Sequence, residues 1–168
     1  MKRLLWGALV VCAFHSSVLH AQLFSAPDPN WREEELSMPP PPSERTLREF
    51  EVSRASSNQF LVDESSLTVG DDGVVRYVLV VRTQGGAQNV SFEGVRCATA
   101  EHRIYAFGRP DGEWVSSRRE DWERIGGGNF NRPSAALAKD YFCDGRSPPR
   151  NRDVVIRRLR EGLKPVGQ

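Results

Sequence analysis

Cys97 and His102 stand five residues apart, a spacing at which one strand or a short turn brings a thiol near an imidazole base. That is the chemistry of a nucleophilic cysteine. The rival use of Cys97 is a disulfide with Cys143. Closing a loop of that length stabilises a fold by about 4 kcal/mol in the chain-entropy picture. The compartment decides between them, since an oxidising space favours the disulfide.

The first 21 residues bear on the compartment. Lys2 and Arg3 form a basic head, Leu4 to Phe14 is almost wholly apolar, and small and polar residues follow up to Ala21. This is the build of a secretory signal peptide. The apolar run is too short for a membrane core, which takes about 20 residues. Val11 stands before Cys12 where a lipoprotein needs a small residue. Removing residues 1–21 takes away Cys12, His15, His20, Lys2 and Arg3, and moves the formal charge from +1 to −1. Two cysteines and His102 remain. One histidine excludes most zinc and copper sites. A near-neutral balance gives no argument for nucleic acid. The expectation is a periplasmic protein with Cys97 joined to Cys143, with no metal, no cofactor and no transmembrane segment after signal removal.

The acids Asp63, Asp71, Asp72 and Glu93 are a weaker lead. Asp71-Asp72-Gly73 reads as a hairpin turn, because Asp-Gly tolerates the positive φ that tight hairpins require. There is no Gly-Lys-Ser phosphate loop, no nucleophile elbow and no His-Glu-x-x-His. The candidate binding surface is Glu93, Arg96, His102, Arg103 and Tyr105, where mixed charges and a ring on adjacent strands would form a small polar cleft. The plainer reading of the same residues is a structural ion-pair cluster.

Positioning them requires a sheet. Val74 to Arg82 is the strongest strand, with Val75, Tyr77, Leu79 and Val81 on one face and Val74, Arg76, Val78, Val80 and Arg82 on the other. Apolar groups on both faces place it centrally, covered on each side. From Asn89 to Ala98 the alternation changes phase between Phe92 and Val95. A bulge at Glu93-Gly94 is expected to return Val90, Phe92, Val95 and Cys97 to one face. Strands around Phe60, Leu67 and His102 to Gly108 complete a run of hairpins, with turns at Gly85-Gly86 and Asp111-Gly112.

Two helical segments follow the loop Gly126-Gly127-Gly128. One carries Leu137, Ala138, Tyr141 and Phe142; the other, Asp153 to Leu163, carries Val155, Ile156, Leu159 and Leu163 on one side. The fold class is therefore α+β: a mainly antiparallel sheet of about five to seven strands with C-terminal helices packed on one face. The organisation expected is a signal peptide over 1–21, a disordered proline-rich arm over 22–46, and one domain over 47–164. The arm rests on Pro39 to Pro42, which favour extended polyproline, and on Glu33-Glu34-Glu35, which add charge with few apolar groups; Trp31 is the exception, either pinning the arm to the domain or exposed.

The stretches Gly73 to Tyr77 with Leu79-Val80, Asn89 to Cys97, Tyr105-Ala106-Phe107-Gly108, and Ala135-Ala136-Leu137 through Asp140-Tyr141-Phe142-Cys143 resemble the cryptic neisserial protein-like family. The resemblance spans roughly residues 50 to 160. It implies an exported proteobacterial protein and supplies no catalytic residues. The functional expectation is a non-enzymatic binding or scaffolding domain of the cell envelope, whose partner is an envelope protein or small ligand. The alternatives are a hydrolase using Glu93 or His102 as base, and a surface adhesin.

Overall fold

The computed structural model describes residues 28–126 and 132–162. The expected signal segment, the start of the arm, the centre of the glycine loop and Leu163 lie outside them. Seven strands form one antiparallel sheet: β1 Leu47–Glu49, β2 Gln59–Val69, β3 Val74–Arg82, β4 Gln88–Arg96, β5 Glu101–Gly108, β6 Trp114–Ser116 and β7 Glu123–Arg124. The order is β1-β2-β3-β4-β5-β6, with β7 also on β5. Every neighbour is a sequence neighbour except β7, as hairpin turns dictate. Gly73, Gly86 and Gly112 take φ of 77°, 83° and 87° at the hairpins, where L-residues are disfavoured.

β3 behaves as its alternation requires. Val75, Tyr77 and Leu79 join a buried cluster with Val62, Leu67, Val95, Cys97, Leu137, Tyr141, Phe142, Val155 and Leu159. Val78 and Val80 join a second cluster with Leu47, Leu61, Phe92, Tyr105 and Ala106. The sheet thus has two cores, one per face, called here the first and second faces.

This explains the phase change in β4, and corrects the bulge expected there. β4 pairs with β3 without interruption from Gln88 to Arg96. Phe92 lies in the second core, while Val95 and Cys97 lie in the first. The extra residue belongs to β5: Phe92 faces Ala106 and Glu93 faces Ile104, so Tyr105 is the odd one. With both faces covered, β4 has no need to return four apolar side chains to one side. β2 carries a wider irregularity between Asp63 and Thr68. There the Ser66 hydroxyl donates to the Asp63 carbonyl at 2.7 Å and accepts from Val78 N at 2.8 Å, replacing lost ladder bonds.

The chain closes with α1 Arg132–Ala136, a π-helical segment Leu137–Phe142, and α2 Arg152–Glu161. Asn151 caps α2 by accepting from Val154 N at 3.1 Å. Glu64, buried on β2, accepts from Arg160 at 2.8 and 2.9 Å and pairs with Arg48 at 3.0 Å. The Arg160 hydrogen bond, opposed by burial and helped by Arg48, holds the Glu64 carboxyl below its ordinary value. Cys97 and Cys143 form a disulfide with Cα atoms 5.6 Å apart, joining the end of β4 to the end of the π-helical segment.

Residues 28–46 do not read as a solvated arm. Trp31, Glu33, Leu36, Pro39 and Pro42 are half-buried where the segment runs along the second face, and most of their neighbours in it are exposed. Trp31 Nε1 donates to the Asp72 carbonyl at 2.8 Å, and Trp114 Nε1 donates to the Pro39 carbonyl at 2.8 Å. Leu36 packs against the second core. Composition suggested a spacer, because proline and glutamate are the residues of unfolded segments. The strap docks because the sheet offers cations and indole donors that complement it.

Candidate functional site

On the second face, two strands, β3 and β5, and the loop before β7 converge on Glu33. Arg103 Nη1 lies 2.9 Å from Glu33 Oε2, and Trp122 Nε1 donates to the same oxygen at 3.3 Å. Tyr105 donates its hydroxyl proton to Oε1 at 2.6 Å, and Arg76 Nη2 reaches that oxygen at 3.5 Å. Burial, then the hydrogen bond to Glu33 and its charge, push the Tyr105 phenol far above its ordinary value. The phenol is thus a proton donor across the physiological range.

Arg76 is itself pinned by Asp72, with which it makes a two-nitrogen ion pair. Asp72 is buried, which raises its pKa. The hydrogen bonds from Arg76 and from the Glu34 and Val74 amides outweigh that, so its carboxyl sits below the ordinary 3.8. Glu34 in turn accepts from the turn amides of Asp71 at 2.7 Å and Asp72 at 3.3 Å. Arg96 stacks on Trp31, its guanidinium carbon 3.7 Å from the ring centroid. Trp31 meets Trp122 edge-on at 6.0 Å.

Two glycines make the room. A Cβ on Gly94 would lie 2.3 Å from the Tyr105 hydroxyl, so the bare backbone lets that ring cross β4 to reach Glu33. A Cβ on Gly70 would lie 2.4 Å from Asp72 and 2.7 Å from Glu34. A glycine inside a strand pattern signals such close approach; at Gly94 the signal was present, but pointed to a bulge instead.

The five sequence candidates divide between the faces. Arg96, Arg103 and Tyr105 belong to the strap side. Glu93 and His102 belong to the other, in a different environment. Glu93 accepts from the Ser91 hydroxyl at 2.6 Å, from Tyr77 at 2.9 Å and from Ser134 at 3.3 Å. Burial, then the nearby Glu93 charge, drives the Tyr77 phenol well above its ordinary value. His102 pairs across from Val95, and both its ring nitrogens are buried without a hydrogen-bond partner. The residues that reasoning from sequence missed are Glu33, Arg76 and Trp122. The nearest signal was Trp31, an indole in an otherwise polar, proline-rich arm.

Among the described residues, no group of three or more His, Cys, Asp or Glu is placed to hold a metal, and no helix is long and apolar enough to cross a membrane. A groove of about 410 Å³ lies beside the strap, between Pro41-Pro42 and Trp114.

The fold and site define a class: an antiparallel meander carrying a proline-rich strap that plugs a carboxylate into a cluster of arginines and aromatic donors. The chain belongs to the CNP1-like family, whose pattern matches residues 26–160 and so takes in the strap as well as the sheet. It is 26% identical over 148 residues to cryptic neisserial protein 1 of Neisseria gonorrhoeae, covering 78% of this chain and 72% of that one. No solved structure matches the chain.

Proposed function

We propose that this is an exported, periplasmic protein that binds or scaffolds a component of the cell envelope and performs no covalent chemistry. One observation carries the binding reading: four donors from Arg76, Arg103, Tyr105 and Trp122 gather on a single carboxylate within an aromatic frame. Guanidinium, phenol and indole groups recognise anions, and none is a nucleophile under these conditions. Export is supported by the leader-like first 21 residues and by the Cys97–Cys143 pair, which suits an oxidising space. The helices are read as the cover of the first face, in keeping with the cluster that Val155 and Leu159 share with Val62 and Tyr77.

The test is fractionation of cells making the full chain, followed by capture of cross-linked partners. The expected result is a periplasmic species shortened by the leader that retains an envelope component. A full-length chain confined to the cytoplasm overturns export, and a periplasmic chain retaining nothing overturns binding.

A second reading is a hydrolase with Glu93 or His102 as base. The unpartnered nitrogens of buried His102 favour it, since a buried polar group without a partner is costly and often kept for function. Hydrolysis of a panel of ester, peptide and glycoside substrates, abolished by His102→Gln in a folded protein, would establish it. An inactive wild type across the panel removes it.

A further inference from the structure

We propose that Arg76, Arg103, Tyr105 and Trp122 form a receptor for the side-chain carboxylate of an extended acidic peptide, and that Glu33 of the strap is its resident, displaceable occupant. The inference rests on the binding reading above and names its ligand class.

The receptor is built independently of Glu33. Asp72 holds Arg76, whose side chain is only 7% exposed. Phe92 packs against the Tyr105 ring, centroids 5.1 Å apart, and Gly94 leaves that ring its place. Arg103 lies over the same ring at 5.4 Å. When the strap lifts, Arg76, Arg103 and Tyr105 therefore keep partners within the sheet, and Trp122 keeps its edge contact with Tyr105.

The donors also exceed the acceptors. The Nε atoms of both Arg76 and Arg103 are buried with no hydrogen-bond partner, while the two oxygens of Glu33 already serve four donors. Buried donors without acceptors are uncommon in native proteins. A strap whose only role was to seal this face would leave no such surplus. A peptide able to add a carbonyl or a second acid fills it.

The occupant is held in a way that permits exchange. Between Arg32 and Pro42 the strap makes no backbone-to-backbone hydrogen bond with the sheet. Its main chain is held by the Glu34 amide on Asp72 and by Trp114 on the Pro39 carbonyl. The remaining hold is through the side chains of Trp31, Glu33, Glu34 and Leu36. An incoming segment with an aromatic residue two positions before an acid, as Trp31 precedes Glu33, would make the same contacts. The strap competes from the same molecule at an effective concentration of order millimolar, so an external ligand wins only when the strap is weakened or outnumbered.

The experiment uses the full chain with its disulfide intact and a fluorescein-labelled peptide of the sequence Asn30 to Met38, followed by anisotropy. Wild type is expected to bind weakly. The W31A/E33Q double variant is expected to bind about tenfold or more tightly, as release of an intramolecular competitor allows. Adding R103A to that variant, or replacing by glutamine the peptide residue equivalent to Glu33, is expected to abolish the gain. A folded double variant that binds no better than wild type, or equal binding of the glutamine peptide, overturns the proposal. If the double variant does not fold, E33Q alone carries the test: about a threefold gain supports it and no gain overturns it. Retention of an envelope component by wild type, with no peptide gain in the released variants, overturns this inference and leaves the binding reading standing.

Discussion

Tyr77 and Tyr105 do the same thing on opposite faces of one sheet, in opposite company. Each donates its hydroxyl proton to a carboxylate, buried Glu93 for Tyr77 and half-buried Glu33 for Tyr105. Among the described residues, Glu93 meets hydroxyl donors, from Tyr77, Ser91 and Ser134. Glu33 meets two guanidiniums and an indole besides. The surrounding chain differs too. The first face is tied by a covalent bond between Cys97 and Cys143, the second by side chains of an extended strap. The lesson is that one sheet carries a face stapled by a covalent bond and a face held by side-chain contacts alone. A carboxylate among neutral hydroxyls loses much when any donor goes. One shared by several cations tolerates the loss of a neighbour.

Breaking the staple should have the largest effect. Replacing Cys97 and Cys143 by serine is expected to lower stability by about 4 kcal/mol, checked by urea unfolding. A loss below 1 kcal/mol would mean that the first face is no more permanent than the second. Next, Tyr77→Phe should cost about 2–3 kcal/mol, because it strips a donor from a buried acid. Gly94→Ala is expected to cost about 2 kcal/mol by displacing the Tyr105 ring, and to expose Trp122 to quenchers as the strap loosens. Tyr105→Phe should cost only about 1 kcal/mol, since Glu33 keeps its cations. Equal losses for the two phenylalanine variants would erase the contrast between the faces.

Acid gives the smallest effect and the most selective one. The folded Asp72 carboxyl lies below its ordinary value of 3.8. A depressed carboxyl contributes stability that is fully present above the unfolded value and is lost as pH falls through the folded one. Glu64 follows the same sign. Titration from pH 5 to pH 2 should therefore loosen the α2 contact and the Arg76 anchor, with stability falling as pH drops below the ordinary values of 4.5 for Glu64 and 3.8 for Asp72. Stability unchanged to pH 2 would show that neither ion pair contributes.

Much of the sheet was legible in the residues, and the reason is periodicity. Two-residue alternation in β3 and Asp-Gly at its start specify a central strand after a hairpin. The disulfide followed from counting cysteines with the leader-like first 21 residues set aside. What stayed hidden depended on partners far away in the chain. The change of phase in β4 was visible, yet its meaning required knowing that something covers the second face. Glu33-Glu34-Glu35 looked like a charge run because no local pattern announces Arg103 or Trp122. The five candidate residues were found as a group but belong to two environments, since alternation puts adjacent His102 and Arg103, and Glu93 and Arg96 three apart, on opposite faces.

The meander has a kinetic consequence. Its hairpins pair sequence neighbours, so β1 to β6 need only short loop closures. The strap is different: Glu33 reaches partners 70, 72 and 89 residues later in the chain. Its seat does not exist until β5 and the loop carrying Trp122 are in place. Strap docking is thus expected as the last step of folding, visible as a late phase in Trp fluorescence that W31F removes while earlier phases keep their rates. A fluorescence trace in which Trp31 reaches its final signal together with the sheet would refute that order. In the interval before docking, a newly made molecule presents its arginines bare, and that window is when a neighbouring chain has its best chance of entry.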